Sequence, residues 1–116
     1  MTPLQTLKAA RDLISDPARW TQRFKALDEF CLPVDPTSEK AICFCSLGAL
    51  QNVTGLSRYH QPVFEAAKAL NRKLPIYLTL GDDEADFTDF NDTHTHAEVL
   101  ALFDAAIAEL EGVNVA

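Results

Sequence analysis

Three kinds of side chain in this sequence are able to do chemistry: two closely spaced histidines, two closely spaced thiols, and a run of carboxylates. The histidines stand in "FNDTHTHAEVLALFDAAIAEL", the stretch from Phe90 to Leu110. His94 and His96 are two residues apart, and on a helix that spacing turns the rings about 200° from each other. They would share a metal ion only if a non-helical loop folded back to supply further ligands, and nothing in the spacing requires it. No metal and no cofactor is therefore expected. Cys43 and Cys45 fail the same test on a helix. Buried free cysteine behaves as a small apolar side chain, whereas a reactive thiol needs exposure and a neighbouring base. A Cys45–His96–Asp92 hydrolase would need tertiary contacts that no local nucleophile signature announces. The carboxylates Asp82, Asp83, Glu84, Asp86, Asp89 and Asp92 invite a calcium reading. A loop started at Asp82 puts Phe87 where an EF-hand needs glycine and Thr93 where it needs a bidentate glutamate, so a solvated acidic loop is the better expectation.

Familiar catalytic patterns are missing. Gly48, Gly55, Gly81 and Gly112 are scattered and never form a phosphate-cradling loop. There is no H-E-x-x-H or G-x-S-x-G. A net charge of −7 disfavours nucleic acid, whose phosphates call for a basic face. No apolar run reaches the ~18 residues of a membrane span, and the first residues lack a signal-peptide core. Cys31, Cys43 and Cys45 are odd in number and contain no C-x-x-C, which suits reduced thiols in a cytoplasmic protein.

The elements that must position these groups read as mainly helical. The 116 residues suit a single domain spanning 1–116, and a chain of that length buries roughly two-thirds of its unfolded surface. Thr2-Pro3 opens a helix over 3–15, with Leu4, Leu7, Ala10, Leu13 and Ile14 on one face, closed by Asp16-Pro17. Pro17 opens a short turn carrying Trp20. Residues 22–34 read either as two short strands joined by a turn or as a helix from Trp20 to Phe30. Thr37 or Ser38 is expected to cap a helix from Glu39 to Thr54, apolar on every side and so central, stopping at Gly55. Gly48 would let a neighbour approach it closely. A third helix from Ser57 carries Pro62 in its first turn and buries Val63, Phe64, Ala66, Ala67 and Leu70. "IYLTL" at 76–80 reads as a short strand or extended segment. Thr95 and Glu98 have the spacing of a capping box for a last helix from His96 to Glu111, ended by Gly112. The expected architecture is a compact bundle of about four helices around a central apolar one, with a small β-hairpin near 22–34.

The segments "DPARW" (16–20), "CSLGAL" (45–50) and "FND…HAEVLALFDAAI" (90–107) resemble a family of small bacterial and bacteriophage proteins with no assigned activity. In it D-P-x-x-W leads to C-A-L-G-A-L, and W-N-D precedes E-V-L-A-L-F-D. The likeness runs from Leu4 to Leu110. Phe90 stands where that pattern has tryptophan and Ser46 where it has alanine, swaps that keep size and packing. The resemblance implies a fold but no reaction. It singles out Trp20, Cys45, Asn91, Asp92 and His96 as a candidate pocket. Against a pocket stands a packing role: Asn91 and Asp92 capping a chain reversal, Trp20 filling the core, Cys45 packing.

The expected function is that of a small acidic accessory or regulatory protein working through contact with another protein. The alanine stripe Ala97, Ala101, Ala105 and Ala108 would admit a second helix or a second copy, as a homodimer. The alternatives are a small enzyme or ligand binder using Cys45, Asp92 and His96, and a phage-encoded inhibitor that presents its acidic loop to a basic host surface.

Overall fold

A computed structural model describes residues 1–75 and 86–112. The expected strand at 76–80 and the carboxylates Asp82, Asp83 and Glu84 lie outside them. In chain order the described elements are α1 (Pro3–Leu13), a 3-10 turn (Pro17–Arg19), β1 (Ala26–Leu27), β2 (Cys43–Phe44), α2 (Ser46–Thr54), α3 (Gln61–Arg72), α4 (Phe87–Thr93) and α5 (His96–Leu110). The protein is mainly helical, with a small antiparallel pair in which Ala26 faces Phe44 and Leu27 faces Cys43.

The helix starts follow their capping chemistry. Thr2 and Gln5 form a reciprocal box at α1, and Thr95 and Glu98 form one at α5. Each satisfies two of the amides that a helix start leaves unpaired. α1 lies across α2, α3 and α5 and buries Leu7 and Ala10, with Ile14 just beyond its end. α5 turns Val99, Leu102, Phe103 and Ala106 inward, and leaves Ala97, Ala101 and Ala105 facing out. Arg11–Asp104 joins α1 to α5 and Arg72–Glu109 joins α3 to α5, at 2.8 and 3.1 Å. These are exposed pairs of small energetic weight.

Three sequence expectations are corrected. The central helix starts at Ser46, not Glu39. Residues 44–50 are all buried, as expected of a central element, but the first part of the run is extended and pairs with β1. Ile42, Cys43 and Phe44 suit a strand that another backbone can complete. The first helical turn of α2 then abuts that neighbour. A methyl at Gly48 would stand 1.8 Å from the Lys25 carbonyl oxygen, so only glycine allows the approach. The third helix starts at Gln61 instead of Ser57, because Pro62 fits only a first turn and Ser57–His60 form a separate turn. Phe64 on that helix is 47% exposed instead of buried, with the Lys68 ammonium over its ring.

The third correction matters most for the site. Residues 87–93 form a helix, not part of an irregular loop. Asp86 caps it, Asp89 completes a capping box, and Phe87, Phe90 and Asn91 face the core. The chain reversal before α5 falls at the extended His94, and Asn91 and Asp92 do not make it.

Residues 22–34 contain one strand and a tight turn. Asp28 N–H donates to Leu32 O, Cys31 N–H donates to Asp28 O, and Cys31 sits at φ 61°, a left-handed position. This is a three-residue hairpin loop whose last residue is ordinarily glycine. Leu27 bridges Pro33 on one side and pairs with Cys43 on the other, so β1 runs between the returning segment and β2.

Candidate functional site

Asn91 is the focus of the candidate residues. It is fully buried on α4, and its side chain meets two other parts of the chain. Trp20 Nε1–H donates to its Oδ1 at 2.8 Å; Ser46 donates to the same oxygen through its amide at 3.0 Å and its hydroxyl at 2.8 Å. Asn91 Nδ2 in turn donates to Thr21 O at 3.1 Å and to Asp92 Oδ1 at 3.2 Å. Donors converge on one end of the amide and acceptors on the other, so its orientation is fixed by its surroundings. Gln22 Nε2 adds bonds to the backbone oxygens of Asn91 and His94. The segment that follows Trp20, the start of α2 and the end of α4 are joined through this one residue.

Asp92 completes the fastening. Its Oδ1 accepts from the Arg23 amide at 2.7 Å, and Arg23 has a left-handed φ of 75°. A non-glycine residue in that region is strained by about 1–2 kcal/mol, and the carboxylate bond offsets it. His96 packs its ring 5.4 Å from that of Trp20, tilted at 48°. Its Nε2 lies 2.6 Å from the carbonyl of Ile14, and since a carbonyl only accepts, that nitrogen carries the proton. His96 thereby satisfies the carbonyl of the residue that ends α1. His94 points elsewhere, stacked on Phe90 with ring centroids 3.8 Å apart.

Cys45 is 7% exposed and caps α2, its sulfur accepting from the Gly48 amide at 3.4 Å. Burial pushes the thiol above its ordinary pKa, and the nearby Asp92 carboxylate acts in the same direction, against the Gly48 and Leu47 amides. An attacking thiol needs the opposite shift. Burial raises Cys43 as well, while Cys31 is exposed. Among the described residues no group of three or more His, Cys, Asp and Glu side chains is placed to hold a metal ion.

The structure therefore brings Trp20, Asn91, Asp92 and His96 into one network, with Cys45 beside it next to Ser46. Their polar atoms are directed at one another and at backbone groups. What this arrangement does best is hold three parts of the chain in register. Thr21, Gln22 and Ser46 belong to the network too; Thr21 and Gln22 lie 70 and 69 positions from Asn91 and Ser46 lies 45, so no local pattern marks them.

Open surface lies elsewhere. A cleft of about 400 Å³ is lined by Asp28, Glu29, Phe30, Glu39, Lys40 and Ile42. Phe30 and Ile42 are 73% and 47% exposed, and Leu32 at the end of the same hairpin is 58% exposed. This surface was not among the expected site residues. The acidic pair Asp28-Glu29 set directly before Phe30 and Leu32 in "DEFCLP" is its trace in the sequence.

The chain belongs to the family of unknown function DUF6197, whose model matches residues 1–109. No curated protein and no solved structure matches it. Among the described residues no helix is long and apolar enough to cross a membrane.

Proposed function

We propose that this member of DUF6197 is an accessory or regulatory protein that works by contact with another protein, and that the hairpin end carrying Phe30 and Leu32, with Ile42 across the cleft from it, is the surface it uses. The observation that supports this reading is that exposed Phe30 and Ile42 line one cleft, with exposed Leu32 on the same hairpin as Phe30; Met1, Phe24, Tyr59 and Phe64 are exposed too, but none of them lines that cleft. Isolated exposed apolar residues are ordinary, but a contiguous group around a cleft marks interaction sites more often. Covering three such side chains, each already partly buried, contributes roughly 1–2 kcal/mol each, enough to offset part of the cost of association. The candidate residues around Asn91 are committed to packing, with a buried, proton-holding thiol where a nucleophile would have to be. That supports a contact role over the alternative of a Cys45/Asp92/His96 enzyme.

The test places a photo-crosslinking amino acid at position 30, and in a control at the outward-facing position 101, in cells that naturally make the protein. A discrete adduct at 30 that Ile42→Asp abolishes is the expected result. Equal adducts at both positions, or adducts indifferent to Ile42→Asp, refute the assignment.

A further inference from the structure

We infer that the partner seated on the hairpin cleft is a cationic protein segment, one that places lysine or arginine side chains beside an apolar anchor. This rests on the reading of the hairpin as a contact surface, and adds what chemistry the partner carries. The apolar floor is Phe30 and Ile42, and the rim is Asp28, Glu29 and Glu39 against the single ammonium of Lys40. Glu29, Glu39 and Lys40 form no ion pair with another described residue; Lys8, Arg11, Arg58, Lys68, Arg72 and Lys73 are engaged elsewhere, and Arg19, Arg23 and Lys25, which form no ion pair with a described residue either, do not line the cleft. The Asp28 carboxylate is partly used, accepting from the Phe30 and Leu32 amides to hold the turn, at 2.8 and 3.0 Å. Its position at the rim is thus set by the hairpin itself.

Charge complementarity then separates the possible occupants. A second copy of this chain would bring its own three carboxylates, and a net charge of −7, against the same rim. Nucleic acid and anionic membranes meet the same repulsion. A partner with two or three basic side chains meets attraction at each carboxylate, and its apolar anchor covers Phe30 and Ile42. Surface ion pairs of this kind are individually weak, so three together set a preference of roughly tenfold instead of the whole affinity.

The test titrates ¹⁵N-labelled full-length protein with three synthetic peptides that share one tryptophan and two leucines and carry three arginines, three serines or three glutamates. The expected result is movement of the Phe30 and Ile42 amide resonances, with the arginine peptide binding about tenfold tighter than the serine one and losing that margin at high salt. The margin should also vanish in Glu29→Lys/Glu39→Lys, whose exposed positions leave the fold intact. Equal movement of the same resonances by all three peptides overturns the cationic partner but leaves the contact surface standing. Failure of every peptide to move Phe30 or Ile42 overturns the contact surface itself. Concentration-dependent dimerisation of the protein alone through these resonances replaces the cationic segment with a second copy.

Discussion

Replacing Asn91 with alanine removes the junction between three segments at once. The variant leaves the Ser46 amide and hydroxyl without their acceptor in a site where Ser46 is 1% exposed, and leaves Trp20 Nε1 and Thr21 O to find water at its half-buried edge. An orphaned buried polar group costs about 1–3 kcal/mol. Two fully buried orphans and two recoverable ones give about 3–5 kcal/mol, a large share of the 5–15 kcal/mol that holds a domain of this size. Trp20 is the only tryptophan in the chain, so urea unfolding followed by its fluorescence reports both stability and the site. Asn91→Asp sharpens the test. It keeps an oxygen for the three donors but turns a second oxygen toward Thr21 O and the Asp92 carboxylate, which raises the new carboxyl's folded-state pKa. The protonated form restores a donor. Its stability contribution is therefore full below the unfolded carboxyl pKa and is lost as pH rises through the raised folded value. Asn91→Asp should gain on Asn91→Ala as pH falls. A loss under about 1 kcal/mol for Asn91→Ala, or no pH-dependent difference between the two variants, would refute the fastening role.

Other substitutions read the supporting elements. Gly48→Ala would gain about 1 kcal/mol in an ordinary helix, but here the methyl meets the Lys25 carbonyl, and a loss of about 2 kcal/mol or more is expected by chemical denaturation. Cys31→Gly relieves the left-handed hairpin position and should stabilise by about 0.5–1 kcal/mol; a loss would mean that the thiol has a partner in the folded protein. Thr95→Ala should cost about 1 kcal/mol by the same assay. The Thr95 amide and hydroxyl hold the Glu98 carboxylate below its ordinary pKa, so that bond contributes above the unfolded carboxylate pKa and is lost as pH falls through the lower folded value. Glu98→Gln, which keeps an oxygen for the Thr95 amide, should remove that part of the acid sensitivity.

The features legible in the sequence were those with short-range causes. Thr2-Pro3 and Thr95-x-x-Glu98 mark their helix starts because capping spans four residues, and Gly48 was expected to admit a close neighbour. The central apolar run was legible as central. Its division into strand and helix was not, because a run apolar on every side carries no period to tell the two apart, and β2 is completed by a strand 17 residues earlier. The helix at 87–93 was hidden by its own acidity: Asp86 and Asp89 read as loop residues, though their spacing is that of a capping box and Phe87 and Phe90 lie one turn apart. The candidate site was legible as a set of residue types. Its use of Asn91 as a junction was not, since every partner but Asp92 comes from a distant part of the chain.

The central claim is that the residues around Asn91, Cys45 among them, are fastened into the fold, and that the protein meets its surroundings through the hairpin. Alkylation of the native protein, resolved at each cysteine by mass spectrometry, tests it most directly. Cys31 should be modified quickly, and Cys45 only at the rate at which the protein unfolds, rising with denaturant. Modification of Cys45 in the folded protein as fast as Cys31, with a thiolate titrating near neutral pH, would contradict it.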